Sequence, residues 1–259
     1  MNRIRKLLIL FILACNIGFA YGQFNTEMTD TINNKILFER IKSYGPVVHN
    51  LGYGLRYKTG KRKSISTSVL WEFEGVYMYS YRQVKLINPY FAFSKKYVYG
   101  KINDVFFLRA GRSWKKQISS KPYWGGVEIR FTYGAGVSLG LAKPYYLYVI
   151  YFYEESPGVY NYKTKTEQFD PSNLSWDDIY GRAPFTKGLN EISLHPGIYA
   201  KAGFNFEFGT SQIKLRALEV GVTVDFIPMG VSIMSTQSNN TIYPSFYLNY
   251  SFGKRFNKY

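Results

Sequence analysis

Residues 127–141 alternate without interruption. Val127, Ile129, Phe131, Tyr133, Ala135, Val137, Leu139 and Leu141 are apolar or aromatic. Between them stand Glu128, Arg130, Thr132, Gly134, Gly136, Ser138 and Gly140, which are charged, polar or without a side chain. Strand side chains repeat every two residues, so such a segment has one apolar and one polar face. At about 3.3 Å per residue it would extend roughly 50 Å, where an ordinary strand has about five or six residues. That length and two-faced character suit a tilted strand that crosses a membrane and projects beyond it.

The composition agrees. The chain has 259 residues, enough for one large β-domain, and 19% of them are aromatic, with 25 Tyr and 20 Phe. Tyr and Phe favour strands and form the girdles of membrane barrels. The mean hydropathy is slightly negative, which excludes a bundle of membrane helices. A barrel escapes that measure because every second residue faces inward.

The N-terminus reads as a secretory signal peptide over residues 1–22. Arg3, Arg5 and Lys6 are its charged region, residues 7–14 its apolar run, and Ala20-Tyr21-Gly22 a small-x-small cleavage site before Gln23. The run is too short to span a bilayer as an anchor. With 33 Lys and Arg less these three, against 17 Asp and Glu, the mature chain carries a net +13. The single cysteine, Cys15, lies inside the signal, so the mature chain has neither disulfide nor thiolate site. Ile12-Leu13-Ala14-Cys15 is a poor lipoprotein box, with Leu13 ill-suited to its position.

Residues 23–47 read as a polar periplasmic lead-in, and 48–259 as the barrel. Strands are expected at 48–57, 64–82, 104–114, 124–141, 145–153, 197–208, 213–227 and 243–253, with turns at 58–62 and 142–144. The second changes face near Gly75, which predicts a bulge or bend. Eight strands result, or ten if 83–103 contributes a pair. The expected class is therefore all-β, a transmembrane antiparallel up-and-down β-barrel. Short turns at 142–144 and 209–212 would face the periplasm, and 154–194 and 228–240 would be outer loops. The first holds Pro157, Pro171, Pro184 and the acids Glu154, Glu155, Glu167, Asp170, Asp177, Asp178 and Glu191. Loops of that length are commonly functional, and Trp176 and Tyr180 are its candidate contact residues. This assignment makes 83–103 an unusually long inner turn.

The C-terminal stretch Tyr243-Pro244-Ser245-Phe246-Tyr247-Leu248-Asn249-Tyr250-Ser251-Phe252-Gly253-Lys254-Arg255-Phe256 resembles the closing strand of Bacteroidota outer-membrane β-barrels. These commonly finish in an aromatic-rich strand followed by a Gly-Lys-Arg-aromatic stretch. Gln23 after the cleavage site is similar to that phylum's secretory signals, and Asp30-Thr31-Ile32 resembles its O-glycosylation acceptor. The resemblance covers the signal and roughly the last 60 residues, and implies a Gram-negative outer membrane. The chain continues past Phe256 through Asn257, Lys258 and Tyr259, a departure from barrels that end on Phe.

Seven charges fall on the polar faces: Arg109, Glu128, Arg130, Lys201, Glu207, Glu219 and Asp225. An eight-stranded barrel is just wide enough to be filled by its side chains, and buried charges there must pair. A closed, salt-bridged lumen is favoured over a narrow channel or porin. Glycines of the 134–140 run leave room for neighbours such as Arg130; their spacing does not fit a nucleotide loop. His49 and His195, without a cysteine, make no metal set, and no cofactor is expected. Ser193 and His195 share a strand face with Glu191 nearby, the arrangement a lipid-modifying enzyme would use; without a motif, a rim histidine is preferred and no catalysis is expected. The positive charge lacks a recognition motif for nucleic acid and suits outer-membrane lipid and lipopolysaccharide phosphates. The expected role is structural or interactive: the long loop is offered to another envelope protein, a surface component or an assembly or secretion machine.

Overall fold

The structure, a computed structural model, describes residues 38–91, 93–120, 126–170, 174–208, 213–235 and 240–257. The signal peptide, the lead-in to residue 37, the 30–32 acceptor and the 209–212 turn lie outside the described residues. Residues Leu37–Tyr259 form one compact unit.

The strands, in chain order, begin with β1 (Arg40–His49), β2 (Gly52–Arg62) and β3 (Thr67–Met78). The two-residue β4 (Lys85–Leu86) and β5 (Tyr97–Val98) follow, then the long β6 (Asn103–Ser119) and β7 (Glu128–Pro144). After β8 (Tyr146–Ser156), β9 (Val159–Gln168) and β10 (Ile179–Arg182), the chain returns with β11 (Ser193–Phe208), β12 (Lys214–Phe226) and β13 (Ile242–Phe256). Eight of these close a barrel in the order β1-β13-β12-β11-β7-β6-β3-β2. All its pairings are antiparallel, and β1 meets β13 from Arg40↔Phe256 to His49↔Tyr247 to complete the ring. The class is as expected: an all-β, antiparallel, up-and-down barrel of eight strands.

Period-two alternation builds the wall. On β11, Ile198, Ala200, Ala202 and Phe204 are exposed outside while Tyr199, Lys201, Asn205 and Glu207 are buried inside. The outside carries two aromatic groups. At one end Trp114 stacks on Tyr133, and Phe131 meets Phe204 at 5.5 Å. At the other, Tyr53, Tyr77 and Phe106 follow one another at 5.8 and 5.1 Å. Exposed aliphatic residues such as Leu55, Leu108, Val137, Ile198, Val220 and Val222 lie between.

The structure departs from the sequence pattern in several places. The lead-in was expected to reach residue 47, yet β1 starts at Arg40 and is a wall strand. The 58–62 turn is the continuation of β2. No bulge interrupts β3 at Gly75, because its register with β2 and β6 is continuous. What changes there is the lumen. Inward Glu72 and Glu74 give way to inward Val76 and Met78 as the interior passes from charged to apolar. The 145–153 strand exists as β8, but it belongs to a separate sheet of order β10-β8-β9 outside the wall. The count of eight therefore stands with one strand exchanged: β1 enters and β8 leaves. The 83–103 region does pair, as β4 with β5, again outside the wall.

These changes also settle the ends. The ends of β2, β6 and β11 and the starts of β3, β7 and β12 lie at one end of the barrel, together with the start of β1 and the end of β13. The opposite end holds β4, β5, β8, β9 and β10, and residues 227–235 after β12. Residues 142–144 are therefore not a short inner turn, and 83–103 is not a long one.

Candidate functional site

The lumen is the most chemically dense part of the molecule. Strand parity sends Arg56 and Lys58 inward from β2, Glu72 and Glu74 from β3, Arg109 and Lys115 from β6, Lys201 from β11, and Glu219 and Asp225 from β12. All nine are buried. Taking a charge out of water costs several kcal/mol unless a partner and further hydrogen bonds compensate it. Here the partners come from across the barrel. Glu219 accepts from Arg56 at 3.1 Å, from Lys58 at 2.8 Å and from the Tyr247 hydroxyl at 3.0 Å. Lys201 and Lys115 approach the same carboxylate at 3.7 and 4.0 Å. Glu72 pairs with Lys201, and with Arg56 and Lys58 at 3.3 and 3.4 Å. Glu74 joins Arg56 to Arg109 and lies 3.1 Å from His49 Nε2.

Arg109 also forks onto Asp225, Nε to Oδ1 at 2.9 Å and Nη2 to Oδ2 at 2.7 Å, and Ser138 donates to Asp225 at 2.9 Å. Such bidentate contacts fix geometry as well as charge. The Arg56 guanidinium lies 4.3 Å above the Tyr247 ring. Inward glycines make the room. A Cβ at Gly221 would stand 2.8 Å from the Tyr247 hydroxyl, and one at Gly111 would stand 2.7 Å from that of Tyr199. These glycines accommodate tyrosine hydroxyls, whereas the side chains nearest a Cβ at Gly134 and Gly140 are Ser113, Phe107, Val231 and His195 rather than Arg130. Nearer the short-turn end, Arg130 pairs with half-buried Glu128 at 2.7 Å, and Arg255 pairs with Glu207.

An apolar layer lies beyond the charged one, toward the end with long segments. Inward Val47, Val76, Met78, Val105 and Phe107 meet Ile227, Val231, Ile233 and Met234 from the segment after β12. That segment is tied down on both sides. Tyr243 Oη accepts from Val231 N at 2.8 Å and donates to Val231 O at 2.9 Å. The backbone of 100–102 exchanges hydrogen bonds with Ile233 and Ser235, and Asn103 donates to Ser232 O at 2.9 Å.

All seven charges singled out in the sequence face the lumen or its short-turn mouth. The sequence reading missed Arg56, Lys58, Glu72, Glu74, Lys115 and Arg255. The parity that puts Tyr53, Leu55 and Tyr57 outside already puts Arg56 and Lys58 inside. Taking 58–62 as a turn and Gly75 as a bend hid that signal.

The other candidates lie at the rim of β11 and in the long segments. Ser193 and His195 do meet, Oγ to Nε2 at 3.1 Å, but Glu191 accepts instead from the Tyr146 hydroxyl at 2.6 Å. The acid is thus engaged away from the Ser–His pair. Trp176 is exposed and stacks beside Tyr90 at 6.2 Å, while Tyr180 is half-buried edge-on to Phe91 at 5.9 Å. Both belong to a surface unit in which the β8–β10 sheet packs on the β4–β5 hairpin. Its core is Tyr97, Tyr145, Leu147, Phe169 and Ile179. Buried Asn88 donates to the carbonyls of Asp177 and Ile179, both at 2.9 Å. Burial, above all, raises the Tyr97 and Tyr145 phenols. Both stay protonated, and Tyr97 donates to Trp176 O at 2.9 Å.

Together these features define an eight-stranded β-barrel with an apolar exterior, a filled polar lumen and an ordered sheet at one end. No family model matches the chain, and no curated protein matches it. Among solved structures, Neisserial surface protein A aligns over 85% of this chain and 96% of that chain, at a TM-score of 0.36 and 12% identity. Ail, the attachment invasion locus protein of Yersinia pestis, aligns over 85% and 97%, at 0.35 and 9%. At those scores the architecture rests on the strand register and not on the likeness.

Proposed function

We propose that this protein is an integral outer-membrane β-barrel of a Gram-negative, Bacteroidota-type cell, delivered by its signal peptide. Its wall is a non-conducting anchor without catalytic activity, and its surface unit is the part that meets another envelope component. One observation carries the reading. The lumen is filled by cross-barrel ion pairs and an apolar layer, whereas the long segments at one end are built into a sheet with its own core. Barrels of this kind place short turns in the periplasm and long loops outside, which supports a cell-surface position for the β8–β10 sheet. The apolar belt between two aromatic groups supports contact with lipid, and the basic excess supports lipopolysaccharide phosphates as neighbours.

The contact surface is the β8–β9 ribbon, where Phe152, Tyr153, Tyr160 and Tyr162 stand exposed on an ordered scaffold. Contiguous exposed apolar patches mark interaction sites, and Phe152 stands directly opposite Tyr162 in the ribbon. Replacing residues 145–192 by a short turn tests the reading. The shortened chain should still insert as a heat-modifiable barrel, and envelope proteins co-isolated with the full chain should be lost. Recovery of the same proteins would refute the surface unit's role.

A further inference from the structure

Strands β2, β3 and β6 carry on their outer face three features stacked in register. The row Tyr53↔Tyr77↔Phe106 is aromatic, and the next row toward the barrel middle is Leu55↔Gly75↔Leu108. Gly75 leaves a gap in that row, since a Cβ there would touch only Leu108 Cδ2, at 3.5 Å. The gap is a furrow in an apolar belt that continues around the wall past Leu55, Tyr57, Phe73, Leu108 and Val137. On the other side of the aromatic row lies a recess of about 680 Å³, lined by Tyr53, Tyr77, Phe106, Lys85, Lys101 and Arg182.

The recess is positively charged. Asp104 is shared by Lys101 at 2.7 Å, Arg182 at 3.2 Å and Lys143 at 3.8 Å, three cations on one carboxylate. Tyr145 and Phe185 support the Arg182 guanidinium at 5.2 and 5.9 Å, and its side chain stays 39% exposed. Lys85 stands exposed at the lip. A cationic recess, an aromatic collar and a hydrocarbon furrow follow one another along the strands. That order matches an amphiphile lying along the wall: anionic headgroup, interface, acyl chain. Forked guanidinium donors and an ammonium suit phosphate oxygens.

Resting on the reading of the barrel as membrane-embedded, we propose that β2, β3 and β6 form a binding site for one phosphate-bearing lipid of the surrounding leaflet. Its phosphate sits between Arg182 and Lys85, and one acyl chain fills the furrow over Gly75.

Native mass spectrometry of the full chain in detergent, titrated with diphosphoryl lipid A, tests the site. The controls are lipid A stripped of both phosphates, and inorganic phosphate as competitor. Two variants probe its ends: Lys85→Gln with Arg182→Gln, and Gly75→Leu, which fills the furrow from an outward position. Each variant should bind lipid A about tenfold or more weakly while remaining heat-modifiable. Removing the phosphates should weaken binding as the charge variant does, and millimolar inorganic phosphate should not displace the lipid. Unchanged binding in both variants would overturn the site and leave the barrel reading intact. Displacement by inorganic phosphate, with Gly75→Leu silent, would overturn the lipid in favour of a free-anion site. Failure of the wild-type chain to insert into vesicles would overturn the membrane reading and this site together.

Discussion

The strands β7 and β8 are neighbours in the chain and are built on opposite rules. On β7, inward Arg130, Thr132 and Ser138 alternate with outward Tyr133, Ala135 and Val137, because the wall separates a polar interior from an apolar exterior. On β8 both faces are apolar. Leu147 enters the surface unit's core and Val149 is buried, while Tyr151, Phe152 and Tyr153 stand exposed. A wall strand needs a polar face for the lumen, whereas a surface strand needs only a core on one side. The two regions therefore differ in what holds them. The lumen is secured by paired charges that cannot be removed singly, and the outer sheet by ordinary hydrophobic packing.

Substitutions can break or sharpen that contrast. The largest effect is expected in the lumen. Glu219→Gln leaves Lys58, Lys201 and Arg56 short of a carboxylate and should lower barrel stability by about 3–5 kcal/mol, read by urea unfolding in lipid vesicles. A loss below about 1 kcal/mol would show that the ion pairs are not what holds the interior. Leu147→Ala removes a fully buried side chain from the outer core. It should loosen that sheet by about 2–5 kcal/mol, seen as faster proteolysis within 145–192 with the barrel's urea midpoint unchanged. A shift in that midpoint would mean the two regions unfold together.

Asn88→Ala deletes the tie between the 79–102 segment and β10 and should cost the same sheet about 1–3 kcal/mol, measured by hydrogen exchange at Ile179. Phe152→Ala should change stability by no more than about 0.5 kcal/mol while weakening partner recovery. An equal loss of stability would make Phe152 a structural residue.

The sequence showed the wall where alternation was strong. On β6, β7, β11, β12 and β13 the outward and inward sets follow directly from parity. It failed on β1, where the inward set mixes Ile41 and Val47 with Ser43 and His49, and Lys42 and Pro46 stand outside. There the lumen is itself part apolar, so polarity no longer marks the face. The same cause disguised β3, whose parity holds while the interior changes character at Val76. Strand β8 was read as wall because it is truly a strand; its missing polar face was the available sign that it is not. The charge pairings were beyond reach, because they depend on which strands stand opposite across the barrel. Arg109 finds Asp225, 116 positions away, only through the closed ring.

A barrel that serves as an anchor should not conduct. Planar-bilayer recording of the purified full chain tests it most directly. The filled lumen predicts a quiet membrane across ordinary voltages. Reproducible single-channel steps from the wild-type protein would contradict it.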